Sequence, residues 1–186
     1  MPISHDTKWF GVNDARIRKI TTDPTGGVTT YGPRIDVPGI KSVGISGDVN
    51  SNELRGDGQR LDFDANLAGL SLSFEFAKKS LDLFATLVGG TVVDAGTTPA
   101  QSATWTLTGG DKLGYFEFEA VTTNVDSVGG DGHIILHKAI ITGFPEIGNA
   151  EEDYRTYTVE AGAMRLNSNN ALLTVVVNET AVPIPA

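Results

Sequence analysis

The most regular pattern in this chain is Leu70-Ser71-Leu72-Ser73-Phe74-Glu75-Phe76, in which large apolar side chains alternate with small or charged ones. A period of two places successive side chains on opposite faces of a strand. The segment therefore predicts a half-buried β-strand whose four apolar side chains enter a core. The same period, with Thr, Val and Ile in the runs and glycines between them, extends over most of the chain.

Further strand patterns lie on both sides of this segment, and Gly-, Asp- and Asn-rich turns such as Gly109-Gly110-Asp111 separate them. The other predicted strands are Ala15–Ile20, Val28–Val37, Ile40–Ser46, Ala103–Leu107, Tyr115–Thr123, His133–Thr142, Thr156–Leu166 and Leu172–Val177.

One helix is predicted directly after the central pattern. Ser80 is a good N-cap, and Asp82 suits the positive end of the helix dipole. The helix should end at Gly89-Gly90. Its apolar stripe, expected to lie on a sheet face, is Leu81, Phe84, Leu87 and Val88.

About ten strands and one short helix in 186 residues predict a mainly β protein, a β-sandwich or barrel with one flanking α-helix. Parallel α/β folds need a helix between successive strands and are disfavoured. The length fits one domain, which we place at residues 9–177. Residues 1–8 and 178–186 are expected to form terminal arms.

Composition excludes several classes of protein. The chain is 40% hydrophobic and 20% charged, as in globular proteins, and it has no cysteine for disulfides, thiolate zinc sites or cysteine nucleophiles. Its apolar runs are far too short to span a bilayer, so no membrane crossing is expected. The N-terminus lacks the pattern of a secretory signal, which favours synthesis in the cytoplasm.

The formal net charge is −9, and residues 94–186 hold 12 of the 23 acids but only 4 of the 14 bases. Such a surface should repel nucleic-acid phosphates. Sequence-specific DNA binding is therefore not expected.

No catalytic, cofactor or metal site is predicted. His133 and His137 would share a strand face about 13 Å apart, too far for one metal ion. Asp62 and Asp64, about 6.6 Å apart, have the spacing of a glycosidase acid pair, but only Phe63 is nearby as a sugar platform. No nucleophile lies near a base in any known arrangement.

Two features of the sequence remain as candidates for a functional role. The first is the polar segment Gly47–Arg60, which predicts a long loop between two strands, either functional or disordered. The second is Phe116-Glu117-Phe118-Glu119, where the phenylalanines should enter the core and the glutamates should line the opposite face, solvated unless they have a function.

Several segments, read in order from about residue 9 to residue 177, together resemble the major tail tube protein of long, non-contractile-tailed bacteriophages. The most telling is Glu53-Leu54-Arg55-Gly56-Asp57-Gly58 after the strand Pro38-Gly39-Ile40-Lys41. The others are Asp23-Pro24, Tyr31-Gly32, Val37–Ser42, the helix closing on Gly89-Gly90, Gly114-Tyr115-Phe116 and His133–Gly143.

The resemblance implies a structural protein rather than an enzyme, in a virion tail assembled in the host cytoplasm. Its subunits would form hexameric rings that stack into a tube for genome ejection. Tail terminator, tape measure and distal tail proteins would be its partners. Four strands from each of six subunits would close a barrel of roughly 24 Å backbone radius, wide enough for double-stranded DNA.

The resemblance also implies roles for particular residues. Residues 47–60 would be the inter-ring loop, with contacts from Asn50, Glu53, Leu54, Arg55, Asp57 and Arg60. An acidic lumen would let DNA slide without sticking, and candidates for its lining are Glu75, Glu117, Glu119, Asp126 and Asp131. Two alternatives stay open: a sandwich-type binding or adhesion module, which a change in Trp9 or Trp105 fluorescence on glycan binding would favour, and a secretion-system tube protein.

Overall fold

The structure, a computed structural model, describes residues 7–125, 129–147 and 155–185. Within these ranges the chain forms ten antiparallel strands and one helix, so the mainly β prediction is confirmed. In chain order the elements are β1 (Trp9–Thr22), β2 (Thr30–Asp36), β3 (Ile40–Gly56), β4 (Gln59–Phe76), α1 (Leu81–Val88), β5 (Thr91–Ala95), β6 (Ser102–Thr106), β7 (Phe116–Asn124), β8 (Asp131–Ile141), β9 (Tyr157–Ala163) and β10 (Leu173–Asn178).

Eight of the strands form one sheet in the order β2-β1-β7-β8-β9-β4-β3, with β10 as a further neighbour of β8. β10 pairs with β8 from Asp131 to Leu136, and β9 pairs with it from Ala139 to Ile141. β5 and β6 form a separate two-stranded sheet.

The large sheet folds over on itself to enclose the core. The rings of Phe74 on β4 and Phe118 on β7 are 5.0 Å apart, although β8 and β9 lie between these strands in the sheet. The two layers are therefore parts of one continuous sheet and resemble a sandwich in cross-section. Because β1 approaches β3, the sheet also closes in the manner of a barrel. The largest fully buried side chains are Phe74, Phe76, Phe84, Phe116, Phe118, Ile17, Leu72, Leu83, Leu87, Leu136, Val37 and Val159.

α1 begins and ends where its sequence predicts, and its buried side chains belong to the core cluster. The Ser80 hydroxyl accepts a hydrogen bond from the Leu83 amide, and the helix ends at Gly89, whose φ of 98° suits glycine. Phe84 stacks on Trp105 of β6 at 5.7 Å. The predicted stripe is wrong in one member, because Leu83 is fully buried and Leu81 only partly.

The prediction of a loop at residues 47–60 is wrong. β3 runs on to Gly56, β4 begins at Gln59, and the two strands stay paired throughout. The connection is the two-residue turn Asp57-Gly58, with φ values of 50° and 76°. Positive φ at both positions is typical of the tight hairpin turn that Asp-Gly favours.

Asp23, in the turn between β1 and β2, ties that turn to the loop before β10. Its carboxylate accepts hydrogen bonds from Lys138 Nζ at 2.6 Å and from the backbone amides of Asn167 and Ser168. Burial alone would raise the pKa of Asp23, but these donors outweigh it and hold that pKa far below its usual value.

The C-terminal arm packs on its own subunit. Residues 179–185, hereafter the strap, follow β10 back over the outer face of β7 and β8, and Ile184 is buried. At the other end of the chain, Met1–Asp6 lie outside the described residues.

Candidate functional site

The outer halves of β3 and β4 project from the body as a two-stranded ribbon, residues 48–68, hereafter the arm. β9 pairs with β4 only from Leu70 onward, so in the described chain each arm strand pairs only with the other. The arm carries several exposed large apolar side chains, namely Val49, Leu54, Leu61, Phe63 and Leu67.

The arm has an apolar face that continues the core face of the body. On β3, Val43 and Ile45 point into the core, and alternation puts Val49 on the same side. Val49 pairs with Leu67. A Cβ added at Gly47 would lie 3.2 Å from Leu67 Cδ1 and 3.1 Å from Leu70 Cδ2, so both leucines lie on this side.

A β-bulge makes this continuity possible. Asp48 pairs with Gly69 but Val49 pairs with Leu67, so Ala68 is an extra residue on β4. Inside the body the apolar positions of β4 are even-numbered, from Leu70 to Phe76. Beyond the bulge they are odd-numbered, and Phe63, Ala65 and Leu67 share one face with Val49 by register.

The opposite face of the arm is polar and acidic. Asn52 pairs with Asp64, Leu54 pairs with Asp62, and Asn50 pairs with Asn66. Leu54 is the apolar exception on this face. The arm is thus an amphipathic ribbon. In the described chain no further strand or helix packs on its apolar side, and only Glu53, opposite Phe63 by register, and Arg60 reach over that side near the tip.

Five of the six predicted inter-ring residues cluster toward the arm tip, where several bond to one another, whereas Asn50 lies near the base of the arm, opposite Asn66. The Glu53 carboxylate accepts hydrogen bonds from Arg55 Nε at 2.9 Å and Arg60 Nε at 2.8 Å. These two guanidinium groups lower the pKa of Glu53. Arg60 also lies over the Phe63 ring, 4.8 Å from its centre.

The lumen candidates Glu117 and Glu119 lie opposite the core, but they are buried rather than solvated. Glu117 is 3% exposed and accepts from Arg18 Nε at 2.6 Å. Burial opposes its charged form, yet hydrogen bonds from His137 and Arg18 lower the pKa of Glu117.

Glu119 and Asp131 belong to the same ionic face, formed by β1, β2, β7 and β8. Glu119 lies 2.9 Å from His133 Nδ1 and 3.6 Å from Arg34 Nη2. Asp131 accepts from Asn178 Nδ2 and from the Val182 amide. The charges of this face are largely compensated by its own bases.

Glu75 lies on the other outer face of the body, formed by β3, β4 and β9. It forms an exposed pair with Lys41 at 3.4 Å. By register, Glu160 lies on the same face, opposite Ser73. The remaining positions of this smooth face are small and polar: Ser42, Gly44, Ser46, Ser71, Ser73 and Thr158.

Glu160 was missed as a lumen candidate, although the alternation Tyr157-Thr158-Val159-Glu160 could have found it. Asp126, also predicted to line the lumen, lies outside the described residues. Of the five acids named as lumen candidates, of which some were expected to line the channel, the structure therefore places Glu75 on the smooth face and three others on the ionic face.

The two tryptophans predicted as possible glycan contacts have structural partners. Trp105 stacks on Phe84 and donates its Nε1 hydrogen to the Gly89 carbonyl at 2.9 Å. The Trp9 ring is 37% exposed and lies against Gly132. Neither arrangement favours an open sugar platform.

No three metal-ligating side chains in the described chain are grouped so that they could hold one ion. In residues 7–125, 129–147 and 155–185, no helix has the length and apolarity needed to cross a membrane. No protein-family model matches this chain, and no curated protein matches it significantly.

Proposed function

We propose that this chain is a structural, self-assembling protein that forms hexameric rings, and that these rings stack into a bacteriophage tail tube for genome ejection. The observation that carries the proposal is the arm, whose apolar face extends the core of the body and, within the residues that the structure describes, has no second sheet or helix layer over it. In this proposal a second copy of the chain provides that layer.

The energetics of the arm favour a partner. An isolated two-stranded hairpin is at best marginally stable in water, because one face of a ribbon has nothing to pack against. Val49, Phe63 and Leu67 are already about half buried, so covering the rest of each side chain would stabilise a complex by about 0.8–1.5 kcal/mol per side chain. The free edges of both arm strands add unpaired amides and carbonyls that another molecule can also bind.

The order of segments that resembles tail tube proteins supports a second copy as the partner, because in that family the arm would reach the next ring. The arm tip presents Leu54 and Asp57 together with the Glu53, Arg55 and Arg60 cluster. Charged groups at such a contact act mainly on register and specificity.

The lumen in this proposal is lined by the smooth face of β3, β4 and β9. Its positions are occupied by Ser, Gly and Thr, which offer few groups that could bind DNA. Glu160 repels DNA phosphates, and Glu75, although paired with Lys41, keeps that lysine from acting as a free positive charge. The ionic face of β1, β2, β7 and β8 suits the outside better, because its acids are already compensated. Tail terminator, tape measure and distal tail proteins are the expected partners, in a tail assembled in the host cytoplasm.

The decisive experiment removes the arm in register. Residues 50–66 are replaced by Asn-Gly, which closes the Val49–Leu67 pair with a tight turn. We expect a folded subunit with the circular dichroism of the parent and no rings or tubes by negative-stain microscopy at high concentration. The control replaces residues 96–101, between the paired residues Ala95 and Ser102, by Asn-Gly and should still assemble.

Two results would refute the proposal. The first is tubes of normal appearance from the arm deletion. The second is a parent protein that remains monomeric at high concentration even when its tail-assembly partners are supplied.

A further inference from the structure

Among the described residues, few groups hold the strap on the ionic face. Val182 donates its amide hydrogen to Asp131 Oδ2 at 2.7 Å, and Arg16 Nη1 donates to the Pro185 carbonyl at 2.8 Å. The Val182 carbonyl lies 2.9 Å from His133 Nε2, and Ile184 is the one buried apolar anchor.

His133 is the member of this set whose protonation matters most. Its Nδ1 lies 2.9 Å from Glu119 Oε1, and its Nε2 faces the Val182 carbonyl. A carboxylate and a carbonyl can only accept hydrogen bonds, so both ring nitrogens must donate. A neutral imidazole has one N–H and an imidazolium has two, so only the protonated ring satisfies both contacts.

We propose that the strap is a proton-controlled latch, clamped to the ionic face while His133 is an imidazolium and loosened when His133 becomes neutral. When the ring keeps its proton on Nδ1, toward Glu119, Nε2 presents a lone pair to the Val182 carbonyl. The strap then loses one of its few hydrogen bonds and meets repulsion in its place.

The charges around His133 support the protonated state. Glu119 of β7 and Asp131 of β8 are its acidic neighbours, with Asp131 Oδ2 3.5 Å from Nε2. Two arginines are also close. Arg34 of β2 lies 3.6 Å from Glu119 and offsets part of its negative charge, and Arg16 of β1 lies 3.6 Å from Asp14. Val176, the β10 residue opposite His133, is uncharged.

The sign of the pH dependence follows from these contacts. Burial lowers the pKa of His133, but the Glu119 hydrogen bond, the Val182 carbonyl and the Asp131 charge outweigh it, so the net shift is upward. Docking of the strap is then most stable below the pKa of the free imidazole, and it weakens as the pH rises through the folded pKa. Between the two pKa values, the ratio of open to closed strap should rise about tenfold per pH unit.

The latch can be tested on the free subunit, independently of ring assembly. The chain has no cysteine, so Ala181→Cys at an exposed strap position offers one attachment site for a nitroxide spin label. Label mobility, read by electron paramagnetic resonance from pH 5.5 to 8.5, should rise with a midpoint equal to the His133 pKa measured by NMR.

Variants separate the latch from general loosening. His133→Gln in the labelled protein should give mobility that does not change with pH, whereas His137→Gln, on the same strand, should keep the transition. Asp131→Asn keeps an acceptor for the Val182 amide but removes a charge, so its midpoint should move to lower pH. This variant serves as the test if His133→Gln does not fold.

A flat pH profile in the parent protein would overturn the latch. So would a transition that survives His133→Gln, or a midpoint that does not move in Asp131→Asn.

Discussion

The two halves of β4 belong to one strand yet differ in what holds them. The inner half, Leu70–Phe76, pairs with β3 on one edge and β9 on the other, and its apolar side chains are enclosed by the folded sheet. The outer half, Gln59–Gly69, pairs only with β3 and leaves Phe63 and Leu67 about half exposed. Chain stability should therefore depend on the inner half and association on the outer half.

The largest effect on stability is expected in the inner half. Phe74→Ala should lower the free energy of unfolding by about 3–5 kcal/mol, because the Phe74 ring is fully buried against Phe118. Phe63→Ala is the matched change in the outer half, and it should change the free energy of unfolding by no more than about 0.5 kcal/mol. Urea unfolding of both variants measures the difference. Equal losses of unfolding free energy would contradict the assignment of chain stability to the inner half.

A second loss of stability is expected at Asp23, in the turn between β1 and β2. Asp23→Asn leaves the buried Lys138 ammonium without its anion and should lower the thermal midpoint at pH 7. Because the folded pKa of Asp23 is depressed, its contribution is present above the unfolded pKa and is lost as the pH falls. The variant should therefore show a smaller drop in midpoint between pH 7 and pH 3, and an unchanged drop would contradict this assignment.

A smaller loss is expected at α1. Ser80→Ala removes the acceptor for the Leu83 amide and should cost about 1 kcal/mol, again by urea unfolding. Ser73→Ala, on the exposed smooth face, provides the control and should fall within about 0.5 kcal/mol. A larger cost at Ser73 would mean that the smooth face is covered in the free subunit.

The smallest change in subunit stability is expected from Val49→Ser combined with Leu67→Ser. Both side chains are more than half exposed, so the unfolding free energy should shift by no more than about 0.5 kcal/mol for each. Assembly should suffer far more, because losing even 1.4 kcal/mol at an interface raises the protein concentration needed for association about tenfold. Sedimentation against protein concentration measures this, and unchanged assembly would remove the apolar face from the proposal.

The inner half, the helix and the turns could be predicted from sequence because each is governed by local chemistry. Strand alternation marked Leu70–Phe76, and Ser80 and Gly89 marked both ends of α1. β1 was predicted only from Ala15 because its register shifts between Phe10 and Asp14, which breaks the alternation. The arm was predicted as a loop because its β3 strand is mostly polar, although Asp57-Gly58 is the strongest short hairpin signal in that segment.

The candidate site was harder to predict because it depends on which strands meet across the sheet. Glu117 and Glu119 were correctly placed opposite the core, but sequence alone could not show that Arg18, Arg34 and two histidines would cover them. Glu75 and Glu160 lie on one face only because β4 pairs with β9, which are far apart in the chain. Long-range pairing therefore determines which acids share a face and which bases lie beside them.

The bulge at Ala68 determines which side chains the arm presents on the side that continues the core. A strand that ran straight through this point would put Asp62, Asp64 and Asn66 on the side where the core lies, so carboxylates would confront any approaching layer. The switch from even to odd apolar positions matches the single additional residue. Because of this one extra residue, β4 directs apolar side chains into the core along its inner half and keeps apolar side chains on the same side of the sheet along the exposed arm.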